Sequence, residues 1–387
     1  MTVAATASPA SVLEVVLAGA TDVGQVREHN EDHFLVGDLD DGQLVDAAAL
    51  ESWQHTGPRG PLLVVCDGMG GVDGGEIASE LAAKVMWREM RATPATRDAE
   101  VFARLMRRAA RIANHDVHAM SRREPGLRGM GTTLSAAGVS GDRLVIATVG
   151  DSRAYILRAG VLVQVTRDQS LQSALIAAGH DENEVASAGG AILQALGVAS
   201  DVEPSLSIIE LRSGDRVLLC SDGLHGLVGD PALALLLSEP HTVGESVKLL
   251  IAAARAAGGT DNITAIVCEV GGPRLSPPRD EADLPRFREF DPQQEGDPAL
   301  TSTSYVARRL AARIGIPTAS IPPTIPVTGQ HAVLRSELQR RLPATALPIE
   351  VARAKPGVSR SGRVAGWHWY VLAGLLAALL AWWAGGR

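Results

Sequence analysis

Two Asp-Gly pairs close apolar runs in this chain: Asp67-Gly68 follows LLVVC, and Asp222-Gly223 follows VLLCS. Such runs read as core strands. Each pair therefore puts a carboxylate at the end of a buried segment, where an unpaired charge costs several kcal/mol unless a partner or a metal offsets it. Asp41-Gly42 and Asp73-Gly74 sit in polar surroundings, and ordinary turns explain them. One buried Asp-Gly is commonly a turn; two in the same setting suggest ligands. Further acids occupy comparable places. Glu31 and Asp32 are adjacent after Arg27, Asp151 follows LVIATVG, and Asp261 lies in GGTDNIT. Only Arg27, Arg153 and Arg216 are bases close to these acids in sequence. A carboxylate excess of this kind suits hard cations such as Mg2+ or Mn2+, and no His/Cys set has zinc spacing. His29 and His33 flank the acidic pair as solvent-facing or supporting groups. Cys66 and Cys220 read as strand-core packing rather than nucleophiles.

The elements that must position these groups are short. Val12–Ala18, Leu62–Cys66, Thr133–Val139, Leu144–Val149, Ala154–Leu157, Val161–Val165, Leu206–Leu211, Arg216–Cys220 and Ala265–Val270 read as strands. Gly75–Arg91 and Asp98–Ser121 are helical stretches with no strand between them, as are Pro231–Leu237 and Val243–Ala257; Gln169–Ala178 and Asp181–Ala188 are shorter. Strand meanders with helices in consecutive pairs imply an α+β fold: a central β-sandwich of two mainly antiparallel sheets flanked by pairs of helices.

Composition sets the frame. The chain has 387 residues, 46% of them apolar, which excludes wholesale disorder. Three cysteines exclude a disulfide framework and fit a reducing compartment. Residues 1–270 hold 21 basic and 35 acidic side chains, a balance that argues against nucleic acid as a partner. Residues 1–10 read as a loose tail without a signal peptide, and residues 11–270 as the catalytic domain. Thirteen of the 21 prolines fall between Pro273 and Pro356, so 271–366 reads as an extended linker, the alternative being a small further domain. Its basic stretch around Thr303–Ile314 suits either anionic headgroups or plain solvation.

Aromatic residues are only 3% of the chain, yet Trp367, Trp369, Tyr370, Trp382 and Trp383 crowd its end. They bracket an uncharged run, Trp367–Ala384, that makes about 27 Å of helix at 1.5 Å per residue, close to a bilayer core. Paired aromatics at both ends match interfacial belts, and the bases preceding the span orient the rest of the chain to the cytoplasm. The expectation is a single transmembrane helix over 367–386 in the cytoplasmic membrane; the competing reading is a buried apolar helix.

The ordered series of motifs resembles the metal-dependent protein phosphatase family, the PPM or type 2C serine/threonine phosphatases, in bacterial form. The resemblance covers residues 18–270. It rests on Arg27-x-x-Asn30-Glu31-Asp32, Asp67-Gly68-Met69-Gly70-Gly71, Met130-Gly131-Thr132-Thr133, Gly150-Asp151-Ser152-Arg153, Thr166-Arg167-Asp168-Gln169-Ser170, Cys220-Ser221-Asp222-Gly223 and Asp261-Asn262-Ile263-Thr264. It implies hydrolysis of phosphoserine and phosphothreonine in proteins by water at a dinuclear Mn2+ or Mg2+ centre, with no covalent phospho-enzyme. Asp67 would bridge the two ions, with the Gly68 carbonyl on the first; Asp222 and Asp261 would hold the second. Glu31 would reach this centre and Asp32 would act as its acidic neighbour. Asp151 with Asp222 would make a third, looser site. Arg27 would grip the substrate phosphate.

Two positions differ from the family's patterns: Met69, common in bacterial members, stands where many eukaryotic members carry a histidine proposed as general acid, which leaves leaving-group protonation to metal-bound water, and Gln169 stands where the family often has histidine. Residues 37–60 form a longer insertion holding Trp53, a surface loop or a shaper of access. Residues 170–192 match a mobile flap. The expected partners are phosphorylated proteins, substrates of a Ser/Thr kinase. The alternatives are an inactive phosphoprotein-binding pseudophosphatase and a phosphatase dedicated to one regulatory switch protein.

Overall fold

A computed structural model describes residues 13–45, 49–57, 59–70, 74–177, 191–279 and 283–291. Their strands are β1 (Leu13–Asp22), β2 (Asp32–Asp38), β3 (Leu44–Val45), β4 (Ala49–Gly57), β5 (Pro61–Met69), β6 (Gly131–Thr132), β7 (Leu134–Ser140), β8 (Arg143–Val149), β9 (Arg153–Arg158), β10 (Val161–Gln164), β11 (Ser205–Glu210), β12 (Arg216–Cys220), β13 (Ile263–Gly271) and β14 (Phe287–Glu289). The helices are α1 (Gly74–Arg91), α2 (Ala99–Arg123), α3 (Leu171–Ala177), α4 (Asp222–His225), α5 (Asp230–Ser238) and α6 (Val243–Ala256). One sheet runs β10-β9-β12-β13-β1-β4; the other runs β14-β11-β8-β7-β5-β2-β3, with β6 paired to β5. The strand pairs are antiparallel, so the α+β sandwich expected from the sequence is the fold.

Alternation along each strand explains its continuous apolarity. On β5, Leu63 and Val65 face the space between the sheets, while Leu62, Val64 and Cys66 face α1 and α2. On β12, Val217 and Leu219 point inward, and Leu218 and Cys220 lie under α6. Both faces are covered, so neither strand carries the polar alternation of a half-exposed one. The carboxylates that end these strands are thus carried by segments that cannot move without opening a core.

The helices take their places by matching stripes. Ala78, Ala82, Met86 and Met90 recur every four residues on α1 and bury against the second sheet beside Met106, Ala110 and Val117 of α2. Asp98 caps α2, its Oδ1 accepting the Glu100 and Val101 amides at 2.9 and 3.1 Å, and Thr242 with Glu245 makes a capping box on α6. Gly37 is required where it stands: a Cβ there would lie 2.2 Å from the Trp87 ring.

Three segments depart from the sequence reading. Residues 32–38 form β2, which the apolar-run criterion passed over. The 37–60 insertion is not a surface loop; it supplies β3 and β4, and β4 extends the first sheet by pairing with β1, from Leu13↔Gly57 to Ala20↔Ala49. Trp53 on β4 packs against the inter-sheet core. The fold also continues past 270, into the stretch expected as linker. Leu275 is buried, and β14 adds to β11 with Ser207 opposite Glu289. Asp283 ties this segment down. Its Oδ2 accepts Arg212 Nε at 3.0 Å, beside a buried Arg158–Asp215 pair with both contacts at 2.7 Å.

The 1–10 tail, the Asp181–Ala188 helix, the linker beyond 291 with its Thr303–Ile314 stretch, and the 367–386 membrane helix lie outside the described residues. Among the described residues, no helix is long and apolar enough to cross a membrane.

Candidate metal centre

The acidic residues singled out in the sequence collect at one end of the sandwich. Asp32 starts β2 directly opposite Asp67 near the end of β5. Asp222 opens α4 just after β12, Asp261 precedes β13, and Asp151 follows β8. Arg27 and Glu31 come from the loop between β1 and β2. Residues separated by up to 234 positions are brought together because strand ends of both sheets stop at the same level.

Each carboxylate is fixed through its backbone or through hydroxyls. The Asp67 amide donates to Thr133 Oγ1 at 2.9 Å, and the Asp67 carbonyl accepts from Thr132 Oγ1 at 2.9 Å and from the Thr133 amide at 2.8 Å. Thr133 Oγ1 in turn lies 2.7 Å from Ser152 Oγ, next to Asp151. Asp32 Oδ2 accepts hydrogen bonds from Ser221 Oγ (2.7 Å) and Thr264 Oγ1 (2.6 Å). Glu31 is held by its backbone: its amide donates to Asn262 Oδ1 at 2.8 Å, and its carbonyl accepts from the Gly68 amide and Ser79 Oγ. Gly68 must be glycine, since a Cβ would meet the Gly75 and Glu31 carbonyl oxygens at 2.2 and 2.5 Å. Gly24 must be glycine for the same kind of reason, with φ +82° and Asp261 O 2.2 Å from any Cβ.

Three carboxylate oxygens in this group, Asp32 Oδ1, Asp151 Oδ1 and Asp222 Oδ1, are buried with no hydrogen-bond partner. Burial, aided by Asp222, raises the Asp32 carboxyl to about 7 against its two hydroxyl bonds. Burial and then Asp222 raise Asp151 to about 7. Asp67 rises well above the carboxylate range through burial and then through Asp32, Asp222 and Asp151. Asp222 rises through burial and the charge of Asp261, and Glu31 through burial against the pull of Arg27.

Of the three bases noted in the sequence, two are committed elsewhere. Arg153 makes a bidentate pair with Asp168, Nε–Oδ1 2.9 Å and Nη2–Oδ2 2.7 Å. Arg216 pairs with Glu269 at 2.8 Å, at the opposite end of β13. Arg27 alone of the three meets the cluster, its Nη2 2.8 Å from Asp261 Oδ2 and its side chain 50% exposed at the rim. One guanidinium against six carboxylates leaves a negatively charged cluster with unpartnered oxygens, which is a donor set for hard divalent cations.

Several supporting residues had no signal beyond a place inside a motif. His225 on α4 is half-buried with Nε2 3.1 Å from the Asp151 carbonyl, and desolvation, followed by Arg153, pushes its pKa down to about 4. It braces the turn that carries Asp151. Gln169, the departure at the usual histidine, is also buried. Its Oε1 accepts from the Gly150 amide and from Gln194 Nε2, each at 3.0 Å, and its Nε2 donates to Ser205 Oγ at 3.0 Å. It therefore joins the Asp151 turn to the base of the 170–192 segment, whose ends meet in a Ser170↔Ile192 bridge.

A two-sheet β-sandwich flanked by helices, with a carboxylate cluster and an arginine at its rim, defines a metal-dependent phosphoric monoester hydrolase class. The comparisons place the chain within it. The family model for protein phosphatase 2C matches residues 39–256. The serine/threonine phosphatase stp of Listeria monocytogenes is 35% identical over 252 residues, covering 64% of this chain and 93% of the relative. The serine/threonine protein phosphatase PstP of Mycobacterium tuberculosis is 37% identical over 256 residues, covering 65% of this chain and 44% of PstP. The crystal structure of the catalytic domain of PstP in complex with 2 manganese ions superposes with a TM-score of 0.55 at 37% identity, covering 67% of this chain and 99% of that one. The chain belongs to the protein phosphatase 2C (PPM) family. It is a protein serine/threonine phosphatase that uses Mn2+ or Mg2+, and its substrates are phosphoproteins.

Proposed function

We propose that this phosphatase works from the inner face of the cytoplasmic membrane, held there by a single helix over 367–386, and hydrolyses phosphoserine and phosphothreonine placed on nearby proteins by a Ser/Thr kinase. The uncharged, aromatic-bracketed run at the end of the sequence supports the anchor. Residues 292–366 would be its leash.

The roles of the site residues belong to the same proposal. Asp67, the Gly68 carbonyl, Asp222 and Asp261 would hold a pair of ions. Glu31 and Asp32 would complete the centre, and Asp151 with Asp222 would hold a third, looser ion. When bound, such ions supply a nucleophilic water at neutral pH and offset charge on the phosphoryl oxygens. Arg27 binds the substrate phosphate at the rim through paired N–H donors and orients it. Asp32 is kept in register by Ser221 and Thr264. Met69 at the end of β5 has no proton to give, and His225 is turned to the Asp151 carbonyl, so neither acts as a general acid.

The observation that carries this reading is the convergence of six carboxylates, three with unpartnered buried oxygens, on one half-exposed arginine. The full chain with Mn2+ should hydrolyse p-nitrophenyl phosphate and a phosphothreonine peptide, and Asp222→Asn should be nearly inert. Hydrolysis unaffected by chelator overturns it. A chain ending at Gly366 should leave the membrane fraction with its activity intact; retention there overturns the anchor.

A further inference from the structure

A second group of metal-ligating side chains lies at the opposite end of the sandwich, in the insertion. Asp38 ends β2, Asp40 follows in the turn, and His55 is on β4. Their donor atoms all lie within 4.8 Å of one another. His55 Nδ1 is 2.6 Å from Asp38 Oδ2, and the two side chains are 2% and 8% exposed. His55 Nε2 is buried with no hydrogen-bond partner, and the atom it faces is Asp40 Oδ2, 3.5 Å away.

The tautomer follows from the shorter contact. Nδ1–H donates to Asp38, so in a neutral ring Nε2 presents a lone pair toward a carboxylate. Two electron-rich atoms do not face each other in a buried place unless a cation stands between them. A proton does so at charge-assisted separations of about 2.7–2.9 Å, shorter than the contact observed. Two ligands of a tetrahedral zinc at about 2.0–2.2 Å stand about 3.3–3.5 Å apart, which is the separation observed. A carboxylate on the far nitrogen of a ligating histidine is also the usual way of fixing its ring. The neighbouring base does not compete. The Arg59 guanidinium donates to the Leu39 and Met90 carbonyls and to Thr93 Oγ1; it reaches Asp40 and Asp38 only as a nearby charge, while its backbone amide donates to Asp40 Oδ2 at 3.1 Å. Asp38 Oδ1 is occupied by the Asp40 and Asp41 amides at 2.8 and 3.2 Å, which fixes the turn.

We propose that His55 Nε2 and Asp40 bind a Zn2+ ion, with Asp38 orienting the imidazole and water filling the remaining positions on the exposed side of Asp40. The site is distinct from the phosphatase centre and shares no ligand with it. Its ligands come from different sheets, β4 in one and the β2 turn in the other, so the ion would cross-link the sandwich at the end remote from catalysis. An imidazole ligand favours zinc over the Mn2+ or Mg2+ of an all-oxygen centre.

The test uses the full chain in mild detergent, with Asp222→Asn and Asp261→Asn silencing the catalytic centre, titrated with Zn2+ and Co2+. One equivalent of zinc should survive desalting, Co2+ should give visible bands of tetrahedral intensity, and zinc should raise the melting temperature. His55→Gln should lose all three. Asp40→Asn, at a partly exposed position that threatens folding less, should lose the retained zinc. His55→Gln in the otherwise native chain should keep its Mn2+-dependent phosphatase activity. Equal zinc retention with and without His55 overturns the proposal. So does a parent that binds no zinc and melts at the same temperature with and without it.

Discussion

Replacing Asp32 by asparagine should stabilise the metal-free protein and weaken its response to metal. Asp32 is buried, with one oxygen bound by two hydroxyls and the other bare. Its carboxyl is raised from 3.8 to about 7. A tenfold change in proton affinity is worth about 1.36 kcal/mol, so the ionised form costs the metal-free fold at most about 4 kcal/mol at pH 8. A folded-state value above the unfolded one means that the fold holds the proton more tightly. Stability contributed by the protonated group is therefore complete below about pH 4 and lost as pH rises through about 7. Asparagine keeps an oxygen for Ser221 and Thr264 and turns an amide toward the neighbouring carboxylates. After allowance for relaxation of those neighbours, a net gain of about 1–3 kcal/mol is expected at pH 8. That is roughly 2–4 °C per kcal/mol for a domain of this size. The gain should shrink by pH 5. In Mn2+ the order should reverse, because the parent gains more from the ion than the variant does. Circular-dichroism melts in EDTA and in Mn2+, at both pH values, read all of this. An Asp32→Asn protein that melts below the parent in EDTA at pH 8 would refute the reasoning, since it would make Asp32 an ordinary buried hydrogen-bonding group.

Metal binding should release protons, because Asp32 and Asp151, both at about 7, must ionise to serve as ligands. Apparent Mn2+ affinity should fall between pH 8 and pH 6, and calorimetric heats should vary with the buffer's ionisation enthalpy; heats independent of buffer would contradict it. Gly68→Ala forces a methyl against two backbone carbonyls. It should cost about 1–3 kcal/mol in chemical denaturation and abolish Mn2+-dependent turnover. Arg158→Met leaves Asp215, which is fully buried, without its partner. Denaturation should show a loss of about 3–5 kcal/mol with kcat of the folded fraction unchanged, and Asp215→Asn added to it should recover part of the loss.

The catalytic end was legible because its signals are local. A carboxylate after LLVVC or VLLCS contradicts its surroundings, and strands covered on both faces announce themselves as unbroken apolar runs. The insertion was not legible. β4 reads Ala-Leu-Glu-Ser-Trp-Gln-His-Thr-Gly, and its place at a sheet edge allows polar residues that erase the alternation. β14 is three residues long and exists because β11 offers it an edge. The hydroxyl supports, Ser221, Thr264 and Thr133, stand inside recognisable motifs, yet which acidic residue each one holds, by carboxylate or by backbone amide, depends on pairings across more than sixty positions. His225 and the Asp38–His55 contact depend on tertiary approach alone, and no periodicity encodes it.

The pairing of β1 with β13 has a consequence for biosynthesis. These strands match along nine residues, from Glu14↔Gly271 to Asp22↔Ile263, and β13 also pairs with β12. Among the described strands of its sheet, β13 alone links β1 with β4 to the block of β9, β10 and β12. A nascent chain thus makes Asp67 early and Asp261 late, and at 5–20 residues per second the interval is about 10–40 s. Until β13 is made, β1, and β12 once it emerges, lack their shared neighbour and expose backbone edges that invite wrong partners. Asp261 stands directly before this closing strand, so on the ligand role proposed for it the growing chain should show no phosphatase activity until β13 has been made.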